Sequence, residues 1–216
     1  MARFQVVLLG EFRLLADGRP IVLPVKARML IGFLATLPLH RASRLQISGV
    51  LWPEIVDSRA LGNLSTCLWR VRKSIGSHPI SDLIEATPQQ VALNTSKVEV
   101  DCWEFETAAE RVLNGGGDMT EAARTVDLYT GDLLHGTCDD NWVIAHRERL
   151  RILYVQVLHY LARMQARGGL VGQAVGSYER LIKEDPSNEQ VCRELMQLYA
   201  ATGNRGSALR VFELVS

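Results

Sequence analysis

"STCLWRVRKSIG", residues 65–76, is the stretch on which the reading of this chain turns. Wound as a helix, it sets Leu68, Val71 and Ile75 on one side and leaves Thr66, Trp69, Arg70, Arg72 and Lys73 to the rest. None of its twelve residues is acidic. Solvated helix faces ordinarily mix signs, with Glu and Lys at i, i+4. Here cations and an indole share one side without a counter-charge.

The helix extends upstream to cover about 58–75, with Asp57 as the expected N-cap and Gly76, followed by Pro79, as the terminator. At 100° per residue, Leu61, Leu64, Leu68, Val71 and Ile75 fall within about 80° of one another and form the core face. Opposite lie Arg59, Gly62, Asn63, Thr66, Trp69, Arg70 and Lys73, with Arg72 on the flank. These side chains suit base edges: Arg for guanine, Asn for adenine, Thr for a thymine methyl or a phosphate. Asn63, Thr66, Arg70 and Arg59 are therefore the candidate base contacts, and the small Gly62 and Thr66 permit close approach to a groove floor.

Candidate phosphate contacts are Trp69, Arg72 and Lys73 on the same helix, and Arg41 and Arg44 around the start of the preceding one. A helix N-terminus there adds donor N–H groups. Lys26 and Arg28 at the first helix and Lys97 after the hairpin are further candidates, for which plain solvation is the competing reading. Trp52, before Pro53, reads as a core plug.

Around this helix the first hundred residues run strands, helices, strands. "FQVVLLG" (4–10), "EFRLLADG" (11–18) and "RPIVLP" (19–24) predict a small antiparallel sheet. Met29, Leu30, Phe33, Leu34 and Leu37 recur at helical spacing up to Pro38, and a shorter helix runs from about Ser43 to Trp52. "LIEAT" and "VALN" flank "PQQ" and predict a hairpin over about 83–94. That order is a winged helix-turn-helix with an N-terminal sheet, and a third helix before a hairpin is where such a fold places its DNA-reading element.

From Val100 the period is helical throughout, with helices expected at about 101–114, 119–134, 141–167, 170–184, 188–202 and 205–216. Leu161, Gly169, Ala174 and Tyr178 return 34 residues later as Leu195, Gly203, Ala208 and Phe212, the tetratricopeptide period. The second repeat reaches Ser216 without a solvating cap, so its last helix is expected to be cut short. The fold class is thus α+β, mostly α: a winged-helix domain over 1–100 and an all-α, tetratricopeptide-like domain over 101–216.

The 216 residues are 47% hydrophobic and 22% charged, an ordinary globular balance. No apolar run approaches the ~18 residues of a membrane helix, and "MARFQVVLLGEFRLL" meets charge too early for a signal peptide. The expectation is a cytoplasmic, nucleoid-associated protein. Cys67, Cys102, Cys138 and Cys192 form no C-x-x-C pair, and His135 with Cys138 lacks a second half-site, so no metal is expected. The five histidines make no H-E-x-x-H, and "NGGGD" (114–118) is a turn that lacks the strand and Lys of a phosphate loop. No catalytic or cofactor-binding residue is expected. The zero net charge conceals a division: residues 1–100 hold 12 Lys and Arg against 7 Asp and Glu, and residues 101–216 hold 12 against 17. A basic half and an acidic half suit different partners.

"LWPE", "SRALGNLSTCLWRVRKSIG", "VEVDCWEFE", "LYTGDLL" and "WVIAHRERLRILYVQVLHYLARMQARGG" together resemble the Streptomyces antibiotic regulatory proteins. That family joins an OmpR-like winged helix to a bacterial transcriptional activator domain. The resemblance implies an activator that binds direct repeats in double-stranded DNA near a promoter's −35 region and engages RNA polymerase holoenzyme. Its genes would be those of antibiotic or secondary-metabolite synthesis. No stretch reads as a coiled-coil dimerisation helix, so a monomer in solution is expected, and the resemblance implies that copies pair head to tail on DNA. Two departures stand out: the wing turn has Gln90-Val91 where members usually have Gly-Tyr, and "GTCDDNW" (136–142) replaces a more acidic or aromatic loop. The rival reading is a protein–protein interaction module in which the helical repeats are the functional part and the winged helix does not read DNA.

Overall fold

The computed structural model describes residues 4–215. Two compact units divide the chain: the first takes residues up to Glu104 together with Tyr129–Leu150, the second Phe105–Leu128 together with Arg151 onward.

In the first unit, β1 (Phe4–Val7), β2 (Arg13–Ala16) and β3 (Arg19–Ile21) form the expected antiparallel meander, with Phe4 opposite Ala16 and Leu14 opposite Ile21. Period-2 alternation buries Phe4, Val6, Leu14 and Ala16 on one face. Asp17 and Gly18 turn the β2–β3 hairpin with φ of 48° and 76°, the left-handed pair that a tight hairpin needs. A fourth strand corrects the all-antiparallel expectation. Val98–Val100 (β7) pairs parallel to β1, Val98 beside Phe4 and Val100 beside Val6. Three residues show too little alternation to read as a strand; the long-range pairing makes them one.

Three helices follow the meander: α1 (Val25–Thr36), α2 (Arg44–Leu51) and α3 (Asp57–Ser74). Leu30, Leu34, Ile47, Leu51, Leu64 and Val71 are completely buried and make the core among them. Ser43 caps α2, its hydroxyl accepting from Gln46 N at 3.1 Å. The cap of α3 differs from expectation: Val56 holds that position and Asp57 is the first helical residue, where its carboxylate favours the helix dipole without bonding an end N–H. Gly76 ends α3 with φ of 64°, as expected. The wing is a three-stranded antiparallel sheet, with β6 (Gln90–Leu93) between β5 (Ile84–Ala86) and β4 (Arg41–Ser43). Sequence reading placed only the hairpin; β4 exists because Arg41 and Ser43 pair with Ala92 and Gln90.

The expected helix over 119–134 stops at Leu128, and residues 129–140 form a loop that packs within the first unit. Leu133 bridges Leu9, Leu134 N donates to Leu8 O at 2.7 Å, and Gly10 N donates to Asp132 O at 3.0 Å. Gly32 lies beneath this loop, where a Cβ would stand 2.5 Å from a Leu134 methyl and force that side chain to shift. Arg147 clamps the same loop, donating to Leu133 O at 2.7 Å, Cys138 O at 2.6 Å and Asp139 Oδ1 at 2.6 Å. Asp101 opens α4 (Asp101–Arg111) and accepts from Leu8 N at 2.8 Å, Leu9 N at 2.9 Å and its neighbour Cys102 N. Burial pushes its carboxyl up, against the pull of those three donors.

The second unit contains α5 (Met119–Leu128), the larger part of α6 (Asn141–Arg167), α7 (Val171–Glu184), α8 (Glu189–Ala201) and α9 (Arg205–Val215). The 34-residue repeat has a backbone counterpart: Gly169 and Gly203 end their helices at φ of 74° and 75°. Leu161 and Leu195 are both buried, but the aromatic pair diverges, Tyr178 being 3% exposed and Phe212 55%. The expected cut in the last helix falls at Ser216, outside the described residues. His159 bonds Glu194 Oε2 at 2.7 Å, and Tyr178 donates to the same oxygen at 2.9 Å. No described helix is long and apolar enough to cross a membrane.

Candidate nucleic-acid interface

Helix α3 has eighteen residues and shows three exposures around its circumference. Ala60, Leu64, Cys67, Leu68, Val71 and the capping Ile75 are buried; Leu61, Asn63 and Ser74 are half-buried; the others are open. The core stripe therefore includes Ala60 and Cys67, which the apolar wheel had omitted. Its outward face is rotated accordingly and centres on Gly62, Trp69 and Lys73. Arg59, Thr66 and Arg70 lie to one side, and Ser58, Ser65 and Arg72 to the other.

All four candidate base contacts stand on this helix. Arg59, Thr66 and Arg70 are exposed, whereas Asn63 is half-buried at the edge of the face. Thr66 donates its hydroxyl to Gly62 O at 3.1 Å, so its methyl and lone pairs are what it offers a ligand. Asn63, Thr66 and Arg70 line a cleft of about 210 Å³ with Trp52 and Lys26. Trp52, expected as a plug, is half-buried and walls this cleft. Cys67 lies at its back, where burial pushes the thiol up to about 11 and keeps it protonated at neutral pH.

Trp69 is 56% exposed, with Lys73 Nζ 5.3 Å from its ring centroid. The ammonium and the indole thus form one cation–π unit at the centre of the face. Arg72, on the flank nearer the wing, is exposed.

The remaining candidate phosphate contacts separate by what already holds them. Arg41 is exposed on β4. Arg44 donates to Ser65 Oγ at 2.8 Å and faces the wing turn. Lys26 donates to Leu51 O at 2.7 Å, placing a cation at the C-terminus of α2, where the helix dipole favours one. Arg28 Nε donates to Leu23 O at 2.8 Å. Lys97 is paired with Asp82 at 2.5 Å, and Asp82 is only 8% exposed. These last three are already bonded within the scaffold. Sequence reading saw their charges and could not see their partners. It also passed over Ser65, whose hydroxyl meets Arg44 only once α2 is placed beside α3.

The four cysteines are buried and free, and no group of three or more His, Cys, Asp or Glu suited to a metal occurs among the described residues.

Comparison with known proteins supplies the family. The bacterial transcriptional activator domain matches residues 100–216, just over half of the chain. No curated protein matches. Among solved structures, the fold is similar to Mycobacterium tuberculosis EmbR in complex with a low-affinity phosphopeptide, at a TM-score of 0.79 and 19% identity. The alignment covers 100% of this chain and 59% of that one, and at that identity it speaks for the fold alone. The fold of the whole chain is similar to that structure, and the sequence of its helical half decides the family: the chain belongs to the bacterial transcriptional activator domain family.

Proposed function

We propose that the chain is a sequence-specific activator that reads double-stranded DNA with α3 and recruits RNA polymerase holoenzyme. The observation that carries this is the outward face of α3: from Arg59 to Lys73 it holds three arginines, a lysine and an exposed Trp69, with no acid. Major-groove reading needs that chemistry, and a protein-binding helix does not. Arg59, Asn63, Thr66 and Arg70 read bases in this proposal, and Arg41, Arg72, Lys73 and Trp69 hold the backbone. Winged helices of this type act in pairs. The sites are direct repeats near a promoter's −35 region, the chain is a monomer until it pairs on them, and the regulated genes are those of antibiotic or secondary-metabolite synthesis in the cytoplasm. The functional boundary lies near residue 100, where the family match begins.

Selection of sites from a random duplex library with the full chain, followed by footprinting on promoters beside its own gene, tests the reading. A tandem motif with half-sites about one helical turn apart is the expected result. Enrichment of no motif would replace this reading with the protein-interaction module.

A further inference from the structure

We propose that Arg44 and Ser65 form a brace that sets the wing against α3, making both of them positioning residues for DNA reading. This rests on the function proposed above. Arg44 meets three elements at once. Its backbone N–H donates to Gln89 O in the wing turn at 3.0 Å, directly after β4, where Ser43 pairs with Gln90. Its guanidinium donates to Ser65 Oγ on α3 at 2.8 Å and reaches toward Thr87 O at 3.5 Å. Ser65 in turn donates its hydroxyl to Leu61 O at 3.1 Å, so its lone pairs are free to accept from the arginine.

The wing turn is itself stiffened. Thr87 Oγ1 accepts from Gln89 N at 3.3 Å and Gln90 N at 3.1 Å. What Arg44 holds is therefore a preformed turn, and what it is held to is the flank of the reading helix. Gly62 and Ser65 from α3, Arg44 from α2 and Pro88 and Gln89 from the wing line one open groove. A duplex strand entering that groove meets a guanidinium whose orientation Ser65 has already fixed. Arg suits this place because its fork bonds a hydroxyl and a carbonyl together; a lysine ammonium would keep the charge and lose that geometry.

The sequence reading made Arg44 a phosphate contact by its charge. The brace adds a separable role, because Ser65 can be altered without removing any charge. Ser65→Ala in the full chain should weaken binding to the selected site about three- to tenfold, in keeping with loss of one ordinary, exposed hydrogen bond. It should relax preference at the base pairs under the wing and leave the salt dependence unchanged. Ser65→Thr, which keeps the hydroxyl, should restore both. Arg44→Lys should keep the salt dependence and lose the preference. Adding Ser65→Ala to Arg44→Ala should have no further effect, because the two act as one unit.

In the free protein, NMR order parameters at Thr87–Gln90 should fall in Ser65→Ala and recover in Ser65→Thr. Multiplicative effects of the two alanine variants, or a Ser65→Ala protein with the parent's order parameters and site preference, would overturn the brace. A parent chain that selects no duplex sinks the DNA reading instead, and the order parameters then decide the brace alone.

Discussion

Trp142 meets Phe33 edge-on, ring centroids 5.4 Å apart at 78°. The contact joins the start of α6 to α1 inside the first unit, so the winged-helix unit includes chain from beyond residue 100. Trp142→Ala should destabilise the protein by about 2–4 kcal/mol, below a fully buried tryptophan because the indole is half-buried. A fragment ending at residue 100 should melt well below one ending at 150. Denaturation followed by circular dichroism measures both, and equal midpoints would show that 129–150 is dispensable to the fold.

Arg70→Ala should cost about 1–3 kcal/mol on the preferred site and relax preference at one base position. Lys73→Ala should weaken all duplexes alike and reduce the salt slope by about one. Site selection repeated with each variant separates the two. An unchanged motif for Arg70→Ala would make Arg70 a backbone contact.

Lys97→Ala should act on stability and not on DNA. The loss leaves Asp82 buried without its cation, costing about 1–3 kcal/mol. The salt slope of DNA binding should be that of the parent. A slope reduced by one with stability intact would return Lys97 to the phosphate contacts.

Burial alone would raise the Glu194 carboxyl, but hydrogen bonds from His159, Gln190 and Tyr178 bring it below its ordinary value of 4.5. A carboxyl lowered by folding stabilises the folded state above its unfolded value and loses that contribution as pH falls through the folded one. Melting midpoints taken from pH 5 down to pH 3 should therefore drop less steeply in Glu194→Gln than in the parent. Identical slopes would mean that another carboxyl governs the acid limb.

If copies pair head to tail, five extra base pairs between half-sites should rotate one copy by about half a turn and abolish cooperative binding. Mobility shifts on the two spacings read this directly. Undiminished cooperativity, or a requirement for an inverted repeat, would refute the tandem arrangement.

Elements with a long apolar period were legible from the chain: α6 runs from Asn141 to Arg167 as expected, and α7 and α8 fall within a residue or two. Those defined by partners far along the sequence were not. Nothing local in "RAS" or "VEV" says strand; Ala92 and Val6 across the gap make them so. Leu133 and Leu134 extended the helical period of α5, yet their burial is against the N-terminal sheet and α1, and the helix has already stopped at Leu128. The site divides in the same way. One helix shows its outward face to anyone who draws a wheel, whereas the bonds of Lys26, Lys97 and Arg44 depend on neighbours that only the fold provides.

The parallel pairing of β1 with β7 has a consequence for the order of events during synthesis. Phe4 is made well before its partner Val98 and before the Leu134 amide that bonds Leu8 O. At ~5–20 residues per second the wait is roughly 7–26 s. The meander of β1, β2 and β3 can form early, but the other edge of β1 has no partner until β7 and the loop over 129–140 have been made. The nascent chain should therefore offer the open edge of β1 to a chaperone, and engagement should end once residues 129–150 have emerged.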